Sequence, residues 1–504
     1  MSATLLLTFV VLYFLILLGV AWYTSRNSNN ESFFIGNRNS NWMLVAFGMI
    51  GTSLSGVTFV SVPGTVGPAG FTYFQVVIGY FIGYFIVAYV LLPLYYRLNL
   101  TSIYTYLHDR FGMTSYKTGA LFFIISRILG ATARLYLVIN VLQIFILDDL
   151  HVPFSVTAFI ILAMILLYTF EGGVKTIVFT DTLQTTFMLL GLVVCVIYIM
   201  NNMHFSFSES MHALSEKQFT RMINSTPNSA GFWMKQVIGG AFITIGMTGL
   251  DQEMMQKNIS VKNLKDSQKN MITFSFILVL VNFLFLLLGG LLYLFAEKNG
   301  IGVKGDDLFP TIALNHVPGA ISIIFIIALI SALFPSADGA LTALTSCFCI
   351  DIIGLKRRTD WNEQQKKRVR LTVHVTFAII FFLLILMFKA IDNKSIIDII
   401  LKVAGFTYGP LLGLFFFGIL SKRKIDDSKA IWICLLAPLL ILGIDFINNI
   451  EWYSKQLKLD ESTINSISSF SQSIFGKFKI GYELLIYNGL LTYAGLFLIS
   501  KKEQ

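Results

Sequence analysis

Two glycines, two serines and two threonines crowd into GTSLSGVTF, residues 51–59, between the apolar runs WMLVAFGMI and VSVPGTVG. Glycine loosens a helix, and an unpaired backbone carbonyl in lipid costs several kcal/mol. Such a break persists only where it lines a cavity or coordinates something. Freed carbonyls are hard oxygen donors suited to an alkali cation, and hydroxyls suit a polar solute. A second loosened run is QVIGGAFITIGMTGLDQ, residues 236–252, with four glycines around Thr244 and Thr248. Close helix packing is the competing reading of each run. A facing partner is ISALFPSADGALTALTSCFCIDI, residues 330–352, with Ser331, Ser336, Asp338, Thr342, Thr345 and Ser346. An acid inside a span marks a function by default; Asp181 in VFTDTLQTT is the second. Two acids near one site either bind a cation or share a proton. Arg127 and Arg134 lie in IISRILGATARLYLV. A guanidinium fork matches a carboxylate. Internal pairing of Arg134, with an acid such as Asp181, is the alternative.

The elements that must hold these residues are membrane helices. The chain is 55% hydrophobic and 13% charged over 504 residues, about half the usual charged fraction. Apolar runs of about 20 residues recur throughout, the length of a spanning helix. Alternating ten-residue strands are absent, which disfavours a barrel. Thirteen spans are expected, near 4–24, 41–67, 72–96, 116–147, 154–170, 176–200, 232–253, 271–296, 315–352, 371–390, 396–420, 428–447 and 481–500. The first lacks a basic region before it and a small-residue cleavage site after it, so it reads as a retained helix. Cys195, Cys347, Cys349 and Cys434 all fall in apolar segments and read as packing residues, with no disulfide or zinc spacing.

The formal charge of +9 reads as topology rather than as a nucleic-acid footprint. Most Lys and Arg follow odd-numbered spans, densest at 257–269, 356–370 and 422–429. By the positive-inside rule the N-terminus is outside and the C-terminus cytoplasmic. The polar loops 201–231 and 448–480 then face outward and suit short amphipathic helices. No segment is long enough for an attached kinase, nuclease or nucleotide-binding domain, and no Walker or Rossmann glycine pattern occurs in a cytoplasmic position.

The broken spans are the second and the seventh. Each opens a unit of five, and an odd unit repeats upside down. Broken helices at matching positions of an inverted repeat point to a binding site. The expected fold is all-α, a 5+5 inverted repeat: 1–40 an extra helix and loop, 41–200 the first repeat, 201–231 an outer loop, 232–420 the second repeat, and 421–504 the last two helices.

Over nearly its whole length the chain resembles the sodium:solute symporters, which share the inverted-repeat fold of a bacterial leucine transporter. EGGVKTIVFTDTLQT (171–185) and SALFPSADGALTALTS followed by Asp351 carry the resemblance most strongly. TSIYTYLHDRFG (101–112), DQEMMQKNIS (251–260) and YGPLLGLFFFGIL (408–420) also match its landmarks. The resemblance implies a sodium site from carbonyls of Gly51, Leu54 and Ala332 and the hydroxyl of Ser336. A second hydroxyl of the pattern falls on Pro335, leaving one ligand fewer unless a neighbour replaces it. Asp181 matches an acid on the sodium exit route that holds a second sodium in some members, with partners near Asp338 and Gly339.

Sugar-carrying members place an Asn and a Tyr where this chain has Thr244 and Met247, which disfavours glucose or galactose. The sialic-acid-carrying branch resembles the layout of Arg134 with Ser53, Ser55, Thr58 and Gln75. Thr244 is a further candidate for solute contact, and Phe406 and Tyr408 for a gate. The expected activity is sodium-coupled uptake of a carboxylate-bearing solute, a sialic acid first, into a cell across an inner or plasma membrane, by a monomer or weak oligomer. Proton coupling in the same fold is the serious alternative, resting on Pro335 and Asp338; a sugar or other neutral solute is another. An intramembrane enzyme is disfavoured, because no His–acid or Ser–His cluster lies in the spans and His374 stands alone. A signalling sensor is disfavoured because LISKKEQ follows the last span directly.

Overall fold

A computed structural model describes residues 3–26, 30–170, 173–391, 396–457 and 459–502. The glycine pair at 172–173 is therefore described only from Gly173, and Glu171 lies outside the described residues. The principal helices are α1 (Ala3–Thr24), α2 (Trp42–Ser53), α3 (Gly56–Ala69), α4 (Tyr73–Ile86), α5 (Met113–Leu142), α6 (Phe154–Thr169), α7 (Gly173–Met203), α8 (Trp233–Thr244) and α9 (Gln252–Ile259). They continue as α10 (Leu264–Lys298), α11 (Gly319–Cys347), α12 (Glu363–Ile391), α13 (Ile396–Leu420), α14 (Asp427–Asn448), α15 (Glu461–Phe475) and α16 (Leu484–Leu498). Among the described residues, nine helical stretches are long and apolar enough to cross a membrane, and α2, α6 and α16 are shorter apolar helices. Helix occupies each of the thirteen expected segments. The only strands described are Lys424–Ile425 and Ser500–Lys501, paired antiparallel with Lys424 opposite Lys501.

The chain divides into two compact units. The first comprises Met1–Phe74, Arg127–Met222 and Glu253–Asp398. Its centre is α11, buried on every face from Phe325 to Cys347, as expected of a helix apolar all round. Helix α7 packs along α11 and α2, and α10 along α3. Phe59 of α3 stacks on Phe309 at 5.3 Å and meets Phe285 edge-on at 5.5 Å. His374 bridges Thr169 and Thr345 at 2.9 and 2.8 Å, so the histidine isolated in sequence bolts α6, α11 and α12 together.

The second unit comprises Gln75–Ser126, Ile223–Gln252 and Ile399–Gln504. Arg110 donates to the carbonyls of Gly418, Ser421 and Arg423 at 2.6–3.2 Å and closes the end of α13, where unpaired carbonyls attract a cation. Asp427 accepts from the amides of Thr114 and Ser115, both at 2.8 Å, and caps the start of α5. The landmark TSIYTYLHDRFG is thus a structural knot. In YGPLLGLFFFGIL, Gly409 and Gly413 lie against Asn488 and Thr492 of α16, with no room for a Cβ.

The polar loops 201–231 and 448–480 carry short helices, as expected. Phe207–Glu216 starts with a capping box between Ser206 and Glu209, and α15 with Asp460 accepting from Thr463 N at 2.9 Å. One segment departs from expectation. Residues 254–259, read as running into a solvated basic loop, lie in the helix α9, and the stretch 254–260 is buried without interruption. Lys257 is 3% exposed. Its charge is matched inside the protein and does not belong in the topology count.

Candidate functional site

The second span breaks at Leu54–Ser55. Leu54 has φ −91° and ψ 69°, and Ser55 is extended at φ −65° and ψ 173°. The helical ladder ends with Leu54 N–H donating to Ile50 O at 2.7 Å and resumes with Phe59 N–H donating to Ser55 O at 3.1 Å. The carbonyls of Gly51 to Leu54 are the last four of a helix and have no ladder partner. Ser55 stands at the N-cap of α3, and its side chain makes no capping bond. The negative end of one half-helix and the positive end of the next therefore meet at one point.

The break lies against α11. A Cβ on Gly51 would stand 3.3 Å from Pro335 Cγ, and one on Gly56 would stand 3.9 Å from Leu333 Cα. Gly51 N–H donates to Thr185 Oγ1 of α7 at 3.1 Å. Ala332 and Ser336 are buried, and Ser336 Oγ donates to Leu333 O at 2.8 Å, keeping its lone pairs available. The structure thus sets the two sides of the break, at Gly51 and Gly56, against Leu333 and Pro335, in the stretch of α11 that carries Ala332 and Ser336. Pro335 faces the break and supplies no hydroxyl. It lacks an N–H, so the carbonyl of Ser331, four residues earlier, loses its ladder donor.

The two intraspan acids are fully buried. Asp181 Oδ2 accepts from Lys257 Nζ at 2.6 Å and from Thr52 Oγ1 at 3.3 Å. Lys257 Nζ also donates to Thr52 Oγ1 at 2.6 Å and stands 4.0 Å from Glu253 Oε1. Asp338 Oδ2 accepts from Tyr168 OH at 2.8 Å, and its Oδ1 from the amide of Gly339 at 2.5 Å. A Cβ on Gly339 would strike Glu253 Oε1, so α9 and α11 touch there. Arg127 pairs with Glu253, both buried. Asp181 therefore pairs with Lys257, the partner that sequence reasoning missed. Its signal was present: Glu253 and Lys257 stand four apart in DQEMMQKNIS, and a buried acid requires a cation.

Among the solute candidates, Ser53, Ser55 and Thr58 flank the break. Arg134 is half-buried on α5. It lies three and seven residues before Leu137 and Val141, on one helical face. Those two residues line a cavity of about 1040 Å³ with Val60 and Gly64 of α3, Tyr293 and Lys304–Asp307. Tyr293 OH donates to Gly64 O at 2.7 Å and accepts from Gly305 N at 3.1 Å, at the cavity wall.

Gln75, Thr244, Phe406 and Tyr408 lie in the second unit. Gln75 Oε1 accepts from Asn224 N at 3.0 Å. Thr244 packs on α4, where a Cβ on Gly83 would meet its Cβ at 2.7 Å. Phe406 packs against Ile441, Ile480 and Leu484. Tyr408 OH donates to Asp251 Oδ2 at 2.5 Å. The seventh span passes through a π-helical turn, Ile245–Gly249, and breaks at Leu250–Asp251. Tyr95 OH donates to Gly249 O at 2.7 Å and Tyr104 OH to Leu250 O at 2.9 Å. Gln252 bridges Ile103 N and Thr101 O, both at 3.0 Å. Tyrosine donors thus reach two carbonyls of this break, whereas the last carbonyls of α2 lack a ladder donor beside Pro335.

Residues 33–436 match the sodium:solute symporter family. A sodium/sialic acid symporter of Proteus mirabilis is 24% identical over 434 residues, 83% of this chain and 85% of that protein. Another, from Aliivibrio fischeri, is 23% identical and covers 81% of each. The structure of a sodium-coupled sialic acid symporter in a substrate-bound outward-open state superposes with a TM-score of 0.81 at 19% identity, over 99% of both chains; at that identity the likeness shows a shared fold. The broken second span set against α11 fits the same assignment, and the chain belongs to the sodium:solute symporter family: a multi-pass membrane transporter, not an enzyme, that couples a small solute to sodium.

Proposed function

We propose that this chain imports a carboxylate-bearing solute, a sialic acid first, together with sodium. One observation carries the reading. The helix of the second span ends at Leu54–Ser55 beside Pro335, leaving its last carbonyls without a ladder donor, and the Ser55 side chain makes no capping bond at the start of α3. Carbonyls of Gly51, Leu54 and Ala332 and the hydroxyl of Ser336 hold the sodium ion. The N-terminal end of α3, Ser53, Ser55 and Thr58 receive the solute, and Arg134 takes its carboxylate in two parallel bonds. In the second unit, Gln75 and Thr244 are the further solute candidates and Phe406 and Tyr408 the candidate gate. The names of the relatives support the solute class.

Sodium steadies the form open to the outside, and the solute then binds beside it. Both ligands favour the same states, which is what coupling requires. The ion leaves inward past Asp181 and Asp338. Each net charge carried inward gains about 2.3 kcal/mol per 100 mV. The two repeats, 41–200 and 232–420, supply one break each, with the N-terminus outside, the C-terminus cytoplasmic, and an inner or plasma membrane as the site of action. A monomer or weak oligomer suffices.

The test is uptake of labelled sialic acid into proteoliposomes under an inward sodium gradient, a potassium control, and a proton gradient alone. Sodium-only uptake, lost in folded Ser336→Ala and Arg134→Ala, is the expected result. Uptake driven by protons without sodium would instead favour the proton-coupled reading and make Pro335 the mark of a lost ion site. No uptake under any gradient would remove sialic acid from the reading.

A further inference from the structure

Lys257 carries the one buried ammonium described in the first unit at an intraspan acid, and its surroundings are those of a bound cation. Nζ contacts Asp181 Oδ2 and Thr52 Oγ1, both at 2.6 Å, with Glu253 Oε1 at 4.0 Å. Thr52 in turn donates to Asp181, closing a triangle. Lys257 and Asp181 side chains are 4% and 1% exposed. Asp181 Oδ1 has no hydrogen-bond partner among the described residues, although it is buried. Carboxylate, hydroxyl and a second carboxylate at greater distance are oxygen donors of the kind a sodium ion takes.

We infer that the Lys257 ammonium is a tethered cation that occupies Asp181 in place of a second sodium, so that this protein binds one sodium ion per cycle. The inference deepens the sodium-symport reading and rests on it. Two cations cannot share Asp181 Oδ2 in a medium that screens charge so weakly. Arg127 already matches Glu253, so Lys257 is the charge that matches Asp181. The ion bound at Gly51, Leu54, Ala332 and Ser336 is then the only exchangeable one.

The experiment is equilibrium binding of radiolabelled sodium to the purified full chain in detergent, without solute. Wild type and Lys257→Arg each bind one ion per protein, and Lys257→Gln, which vacates the carboxylate, binds two. The paired variant Asp181→Asn with Lys257→Met removes the buried pair as a unit, a change buried pairs tolerate, and still binds one. Two ions on wild type, one on a monodisperse Lys257→Gln, or loss of sodium from the paired variant would each overturn the inference while leaving sodium symport intact. No sodium on wild type would take down both.

Discussion

Gly51 is where the proposed ion site is least tolerant. A methyl group there would stand 2.4 Å from Thr185 Oγ1 and 3.3 Å from Pro335 Cγ, so the backbone must shift at the carbonyls that hold the ion. Gly51→Ala is expected to lower sodium affinity at least about tenfold, roughly 1.4 kcal/mol, read from the sodium dependence of uptake. Pro335→Ser acts the other way. It restores a hydroxyl beside Ser336 and is expected to raise sodium affinity by up to about tenfold. A drop instead would mean that the proline shapes the site. At Arg134 the substitution by lysine is the informative one. A point charge cannot reproduce the fork, so Arg134→Lys is expected to raise the KM for a carboxylate solute while leaving sodium binding unchanged. Density of glycine and hydroxyls was enough to mark the broken span in sequence, because few other reasons put both inside an apolar run. The position of the break was not: Gly51 to Ser53 remain helical, and the turn falls at Leu54–Ser55. Lys257 was hidden for a different reason. A lysine just past a span reads as loop charge, and the acid that buries it lies 76 residues earlier in the chain.

At the level of elements the two breaks differ in how their carbonyls are satisfied. Tyr95 and Tyr104 serve the seventh span. Tyr95→Phe and Tyr104→Phe each orphan a carbonyl, and each is expected to cost about 1 kcal/mol, seen as a lower unfolding temperature in detergent. Sodium affinity should be unchanged, because these residues serve the other break. Sequence alone treated the two runs as equivalent; it cannot show which carbonyls distant tyrosines will reach. The helix α15, in the polar segment 448–480, offers a pH test. The amide of Thr463 and the hydroxyls of Ser462 and Thr463 hold the Asp460 carboxyl below its ordinary range. A depressed folded value means that the cap contributes fully above the unfolded value of about 3.9, and that its contribution fades as pH falls below it. Hydrogen exchange in α15 should therefore speed up at acid pH in wild type relative to Asp460→Asn, which cannot titrate.

At the scale of the whole molecule, the orientation expected from basic residues survives the removal of Lys257 from the count, since the segments at 356–370 and 422–429 still dominate. All four native cysteines are buried, so an impermeant maleimide has little to react with in the unmodified chain. In intact cells Ser462→Cys should be labelled and Arg358→Cys should not. The reverse pattern would invert the topology. Helix existence was legible throughout, because spanning a bilayer demands long apolar runs. The division into two interleaved units was not, because it depends on contacts between segments far apart in sequence.

With Lys257 in place of a second sodium, as inferred above, the coupling also bounds how far the protein can concentrate its cargo. An ion that enters and leaves conveys the energy of its gradient; a charge on the chain returns to its starting side every cycle and conveys none. One sodium travelling with one monoanion moves no net charge, so the voltage adds nothing. The steepest solute gradient then equals the sodium gradient itself, about tenfold for a tenfold sodium ratio; a second ion would raise the chemical part to about 100-fold and, by carrying one net charge, would add the voltage as well.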